Sequence, residues 1–162
     1  GIGITWQTGT KTFDGRVPVQ HAAQMAASLI GQGGVRMNPM TMASVSATAK
    51  EGVFKQPYLV SPSVDGRSLA HAPRTMSDET AANLRKLMHV TAVSGTAAKP
   101  MAGLGGDFGA KTGSAEVGGQ EKPNAWFTAY HDDVAAAAVV PASGHGNENA
   151  GPVVRAIFDA LS

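Results

Sequence analysis

The stretch Ala110-Lys111-Thr112-Gly113-Ser114-Ala115-Glu116 constrains the fold of this chain more than any other. Four consecutive positions, Lys111 to Ser114, hold one cation, two hydroxyls and a residue without a side chain. Glycines crowd both flanks: Gly103, Gly105, Gly106 and Gly109 before, Gly118 and Gly119 after. Gly113, Gly118 and Gly119 preclude a helix, because glycine in a helix interior is about 1 kcal/mol worse than alanine. If the stretch is extended, alternate side chains point to opposite faces. Lys111 and Gly113 then share one side, and Thr112 and Ser114 the other. Such an edge can take an anionic ligand along its backbone.

Two nucleotide-binding alternatives fail on the same residues. Gly105-Gly106-Asp107-Phe108-Gly109-Ala110-Lys111-Thr112 matches the phosphate-loop pattern at every fixed position except Ala110. That loop needs a buried strand before it and a helix directly after it, whose amides hold phosphate. Residues 100–104 make a poor strand, and the glycines after Lys111 deny the helix. Gly103 and Gly105 lack the third glycine of a dinucleotide motif, and no G-x-S-x-G elbow occurs.

Composition narrows the remainder. At 162 residues, 43% apolar and 15% charged, the chain is one globular domain's worth of sequence. A net charge of +1 gives no reason to expect nucleic acid or an anionic membrane as partner. The absence of cysteine excludes disulfides, thiol catalysis and a cysteine zinc site. His145, Asn147, Glu148 and Asn149 have no metal-site spacing and read as a solvated polar loop, so neither metal nor cofactor is expected. His21, His71, His89 and His131 are scattered and read as structural or exposed. The longest apolar run, residues 134–140, falls far short of the ~20 residues that span a bilayer. No basic-then-apolar leader is present, and the chain starts at Gly1, which reads as a piece of something longer.

Residues 1–19 read as loop with a short strand. Ala22, Met25, Ala26 and Leu29 recur at helical spacing across residues 19–30, stopped by Gly31 and Gly33. Asn38 caps a second helix with Pro39 at its first position, an apolar stripe of Met42, Ala43, Val45 and Ala49, and Gly52 at its end. Residues 56–60 read as a short edge strand, and residues 61–75 as surface loop. Ser77 caps a helix with Asp78 and Glu79 in its first turn and Leu84, Leu87, Met88 and Thr91 on its inner face; Ser94-Gly95 stops it. Residues 125–131 and 134–140 are strands joined by a tight turn, and residues 143–149 a polar loop. Trp126 and Phe127 read as core. Val153, Val154, Ile157, Phe158 and Leu161 mark a closing amphipathic helix. Together these predict an α+β fold with an antiparallel sheet flanked by helices, the sheet incomplete.

Lys-Thr-Gly is a weak signal alone, but it accompanies S-x-x-K in serine enzymes that react with penicillin. Residues 110–116 followed by Ala125-Trp126-Phe127-Thr128-Ala129-Tyr130 resemble the G-K-T-G-T-A-E … W-F-x-G-Y pattern of class B penicillin-binding proteins. Ile30-Gly31-Gln32-Gly33 and Pro39-Met40-Thr41-Met42-Ala43 resemble their I-G-Q-G … P-L-x-M-A segment. Leu84-Arg85-Lys86-Leu87-Met88 and Ser94-Gly95-Thr96-Ala97 fall where the family has a helix and a G-T-A turn. The departures are Ala110 and Ala129 for glycine and Ser114 for threonine, which keeps the hydroxyl. The Ala- and Gly-rich character looks actinobacterial.

The resemblance implies part of a β-lactamase/transpeptidase-like fold and a peptidoglycan D,D-transpeptidase using a serine acyl-enzyme. Its ligands would be peptidoglycan stem peptides and β-lactams, with other cell-wall synthesis proteins as further partners. Lys111 would supply positive charge near the substrate carboxylate and help tune proton transfer at the serine. Thr112 and Ser114 would bind the substrate carboxylate, and Gly113 would leave room for the substrate. The Ser114 N–H would be one oxyanion donor, of a type contributing roughly 2.7–4 kcal/mol. No serine here has lysine three positions on, Thr96-Ala97-Ala98-Lys99 being a threonine look-alike, and no Ser-x-Asn occurs. The resemblance places both motifs before Ile30-Gly31-Gln32-Gly33. Residues 1–162 are therefore expected to be the C-terminal portion of a transpeptidase domain. The nucleophile and a membrane anchor would lie in an N-terminal portion outside this chain, at the extracytoplasmic face of the cell membrane. The alternative is a penicillin-recognising sensor or pseudoenzyme of the same fold.

Overall fold

The computed structural model describes residues 18–69 and 75–161. In chain order the elements are α1 (Ala22–Ser28), α2 (Pro39–Glu51), α3 (Pro62–Asp65), α4 (Asp78–Val93), α5 (Ala98–Met101), β1 (Phe108–Ala115), β2 (Asn124–His131), β3 (Val134–Val140), α6 (Gly146–Asn149) and α7 (Gly151–Leu161). The strands form one antiparallel sheet in the order β1-β2-β3. This is the expected α+β arrangement. The expectation for residues 1–17 lies outside the described residues.

Local chemistry sets the element ends. Asn38 accepts a 2.7 Å hydrogen bond from the Thr41 N–H, and Pro39 opens α2 without needing a donor. Ser77 does the same for α4 through the Thr80 N–H at 3.2 Å, with Asp78 and Glu79 in the first turn. The β2–β3 turn places Asp132 at φ 48°, a conformation aspartate tolerates better than most residues. Asp132 also accepts from the Asp107 N–H at 2.9 Å, while its own N–H donates to the Asp107 carbonyl at 2.8 Å. That exchange explains the glycines before β1. Gly106 sits at φ 73°, where an added Cβ would lie 2.6 Å from the Asp132 carboxylate.

The sheet carries helices on both faces. α2 lies on β2 and β3 and α4 on β1; α6 and α7 cover the other face. The core on that second face joins Phe127, Val154, Phe158 and Met101 to small residues Ala110, Ala125, Ala129, Ala136 and Ala138. Alanines on the strands let α7 approach closely. Burying each large side chain contributes about 1.5–3 kcal/mol. Tyr130 is buried on the α2/α4 face with Lys50 5.7 Å from its ring centre. Burial, and then the Asp107 carboxylate, push the Tyr130 hydroxyl up from its ordinary value.

Four expectations need correction. Residues 56–60 form no strand; Tyr58, Leu59 and Val60 are exposed, with no neighbouring strand among the described residues. The first helix is only Ala22–Ser28 and buries nothing, so its apolar stripe is not core. The loops at residues 61–75 and 143–149 contain the short helices α3 and α6. The buried face of α2 is Thr41, Ser44, Ser46 and Ala49; of the expected apolar stripe only Ala49 lies on it, and the Ser46 hydroxyl bonds Thr128 of the sheet.

Candidate active site

β1 delivers the Lys-Thr-Gly residues by its register. Lys111 pairs with Thr128, Thr112 with Phe127, Gly113 with Trp126 and Ser114 with Ala125. Since Phe127 and Ala125 belong to the core under α7, Thr112 and Ser114 share that face. Lys111 turns to the other face, where it lines a cavity of about 610 Å³ between α2 and α4. The predicted alternation is therefore what the strand shows. The Lys111 Nζ donates to the Thr112 carbonyl at 2.6 Å. The structure does not bring the cation and the two hydroxyls together on one face. They meet only at the strand's edge.

The cavity wall explains the inner face of α4. Leu84, Leu87, Met88 and Thr91 all line it, opposite Met42, Val45 and Ala49 of α2. The stripe points inward as expected, but onto an open cleft instead of a closed core. A buried hydroxyl chain fixes the floor of this cleft next to Lys111. Thr128 Oγ1 donates to the Met42 carbonyl at 2.8 Å, so its single proton is committed. The Ser46 hydroxyl, 2.6 Å away, then donates to Thr128. Thr128→Val leaves the buried Ser46 hydroxyl without this partner, and should cost about 1–3 kcal/mol in denaturant unfolding of the full-length protein. Thr128→Ser should recover most of that; equal losses in both variants would show the link is not what holds α2 to the sheet.

A second cavity, about 370 Å³, opens at the other end of the motif. Gly113, Ser114 and Trp126 form one side, and Ile30, Gly31 and Gln32 the other. Trp126 is thus only half-buried and walls a cavity, whereas Phe127 is core. The Ile30-Gly31-Gln32-Gly33 segment is brought to the Lys-Thr-Gly strand, which local sequence reading did not require.

Two functional candidates escaped the sequence reading. The Thr96 hydroxyl lies 2.7 Å from that of Thr112, and His145 Nδ1 lies 3.5 Å from the Ser114 hydroxyl. Thr96 could have been singled out from Ser94-Gly95-Thr96-Ala97. His145 carried no local signal beyond its polar loop. His89 and His131 instead bond backbone carbonyls, those of Phe108 and Gly105, at 3.0 Å each. Among the described residues no group of three metal-ligating side chains occurs.

Residues 1–160 match the penicillin-binding protein transpeptidase domain. The chain belongs to that family. It is 35% identical over 165 residues to the peptidoglycan D,D-transpeptidase PbpA of Mycolicibacterium smegmatis, a match spanning 88% of this chain and 33% of that protein. With PbpA of Mycobacterium tuberculosis the identity is 31%, over the same shares. The chain thus spans about a third of the length of these class B relatives, whose mycobacterial origin agrees with the actinobacterial look of the sequence. Among solved structures, penicillin-binding protein A of M. tuberculosis, an imipenem acyl-enzyme complex, superposes with TM-score 0.77 at 28% identity. All of this chain and 40% of that one are covered. Pseudomonas aeruginosa PBP2, in complex with WCK 5153, gives TM-score 0.68 at 23% identity, over 89% of this chain and 33% of that one, and shows the fold alone.

Proposed function

We propose that this chain is the C-terminal portion of a peptidoglycan D,D-transpeptidase and supplies one wall of its serine acyltransferase cleft. The observation that carries the reading is β1 itself. Lys111 looks into the α2/α4 cavity, Thr112 and Ser114 look away from it, and Gly113 leaves the strand bare between them. A ligand lying along that edge touches all four. The nucleophile serine belongs to the remainder of the protein, which we place in the 610 Å³ cavity. Apolar residues of α2 and α4 line that cavity, and the relatives are about three times as long as the matched segment.

In this mechanism the serine attacks the penultimate D-Ala carbonyl of a stem peptide, and its proton leaves towards the Lys111 side of the cleft. The carbonyl oxygen gathers negative charge and takes a hydrogen bond from the Ser114 N–H. Support for that direction comes from Lys111, whose ammonium caps the Thr112 carbonyl at the edge of the sheet. Amides two positions apart face the same way in a strand, so the Ser114 N–H points off the edge too. D-Ala departs with the proton, leaving an acyl-enzyme, and the amine of a neighbouring stem resolves it. β-Lactams acylate the same serine. The hydroxyls of Thr112 and Ser114 hold the ligand carboxylate.

Peptidoglycan is built outside the cytoplasm, so we place the domain at the extracytoplasmic membrane face. No described helix is long and apolar enough to cross a membrane, and the anchor falls to the remainder of the protein. Stem peptides, β-lactams and other cell-wall synthesis proteins are the proposed partners. Labelled penicillin tests the reading on the full-length protein. Stable covalent labelling of a serine outside this chain is expected, together with transpeptidation of a model stem peptide. Labelling without transpeptidation would convert the assignment to a β-lactam sensor; no labelling would sink it.

A further inference from the structure

We infer that Thr96 and His145, neither of them in the Lys-Thr-Gly motif, are positioning residues that aim the hydroxyl protons of Thr112 and Ser114 at the ligand carboxylate. The inference rests on the reading of the strand proposed above. Its basis is a row of four polar groups along one face of β1. The Thr96 hydroxyl lies 2.7 Å from that of Thr112, and the His145 ring nitrogen 3.5 Å from that of Ser114.

The need for such partners follows from proton counting. A hydroxyl has one proton and can accept two further hydrogen bonds, and a carboxylate is an acceptor only. Thr112 and Ser114 can serve a carboxylate only by donating to it. A neighbour that donates into each hydroxyl oxygen leaves the single proton free to face the anion. Hydrogen bonds made to an ionised acceptor are the strong ones, and a donor behind the hydroxyl polarises it further. Thr96 can donate to Thr112, and His145 can donate to Ser114 whenever Nδ1 carries its proton. With the roles reversed, each neighbour would take the proton the ligand needs.

Both partners are held by their backbones, as positioning requires. Thr96 precedes the fully buried Ala97, whose N–H donates to the Thr91 carbonyl at the end of α4 at 3.1 Å. His145 precedes α6; its carbonyl accepts from the N–H groups of Glu148 and Asn149 and from the Asn149 side chain at 3.2 Å. Asn149 also donates to the Ser143 carbonyl, closing the loop around His145. The two side chains stay exposed beside the strand, where a ligand can reach their partners.

Benzylpenicillin and its methyl ester separate this role from a structural one. They share the reactive ring, and only the first presents a carboxylate. Acylation rates of the full-length protein should favour the free acid. Thr96→Val and His145→Ala should each lower that preference about tenfold, leaving the slower ester rate within about twofold. Thr96→Ser and His145→Asn, which keep a donor, should restore most of it. Equal loss for acid and ester would mean the residues only support the fold, and an unchanged ratio would mean they do nothing for the carboxylate. Either result overturns the inference while leaving the transpeptidase reading intact. A wild-type protein that neither compound acylates overturns both.

Discussion

Lys111→Ala should slow acylation by penicillin by about a hundredfold to a thousandfold, the usual cost of removing one preorganised charge or donor from a developing transition state. Lys111 is exposed in the cleft, and among the described residues its Nζ bonds only its own strand, at the Thr112 carbonyl. Stability should therefore move by no more than about 0.5 kcal/mol, as for other surface substitutions. The two effects together are the diagnostic. A charge that merely attracted the anionic ligand from a distance would be replaced well by arginine and would weaken in salt. A lysine that accepts or returns a proton at the nucleophile is not, because arginine stays protonated. Lys111→Arg is accordingly expected to remain well below wild type at both low and high salt. Stopped-flow acylation of the full-length protein measures all of this, and an unchanged rate in Lys111→Ala would show that β1 has been assigned the wrong role.

The arrangement divides labour across a single strand. One face of β1 meets α4 and carries the cation; the other meets α6 and carries the hydroxyls. A period of two residues makes this division automatic once the stretch is extended. Glycine at position 113 keeps the edge open between them. On the proposed reading the cleft side would handle the nucleophile and its proton, and the opposite side the ligand's carboxylate.

Where structure depends on neighbours in sequence, it was legible. Asn38-Pro39 and Ser77-Asp78-Glu79 announce helix starts because caps are satisfied within one turn. Residues 125–131 and 134–140 read as strands, and the alternation of Lys111 against Thr112 followed from geometry alone. Where neighbours in space decide, the reading failed. Tyr58, Leu59 and Val60 have strand-forming side chains, yet no described strand lies beside them to complete a ladder. The stripe of Met25 and Leu29 suggested burial, and nothing in the described fold covers it. Ser46 is held by Thr128, a partner far along the chain that its own helix does not announce. His145 belongs with these. Its neighbours in sequence are polar and suggest solvent, but Ser114 lies 3.5 Å from its ring.

Gly146→Ala should disable the protein although it adds one methyl group in a segment that reads as loop. Positions 113 and 126 both face away from α6, so the backbone of both strands is bare where α6 begins. Gly146 rests directly on it. An added Cβ would lie 2.1 Å from the Trp126 carbonyl oxygen and 2.7 Å from that of Gly113. Both contacts are with backbone in paired strands, which cannot swing aside as a flexible side chain would. The start of α6 must lift instead. Overpacking of this kind costs typically about 1–3 kcal/mol, and two backbone clashes put this case at the upper end. The functional loss should exceed the loss of stability, because lifting α6 carries His145 away from Ser114 and unseats the strand at Gly113. Gly118→Ala supplies the comparison: nothing lies within 4 Å of its added Cβ, and both stability and acylation should stay near wild type. Thermal unfolding and penicillin acylation of the two full-length variants decide the matter. If Gly146→Ala melts and reacts like Gly118→Ala, α6 does not sit on the Lys-Thr-Gly strand, and the route by which His145 reaches Ser114 is lost with it.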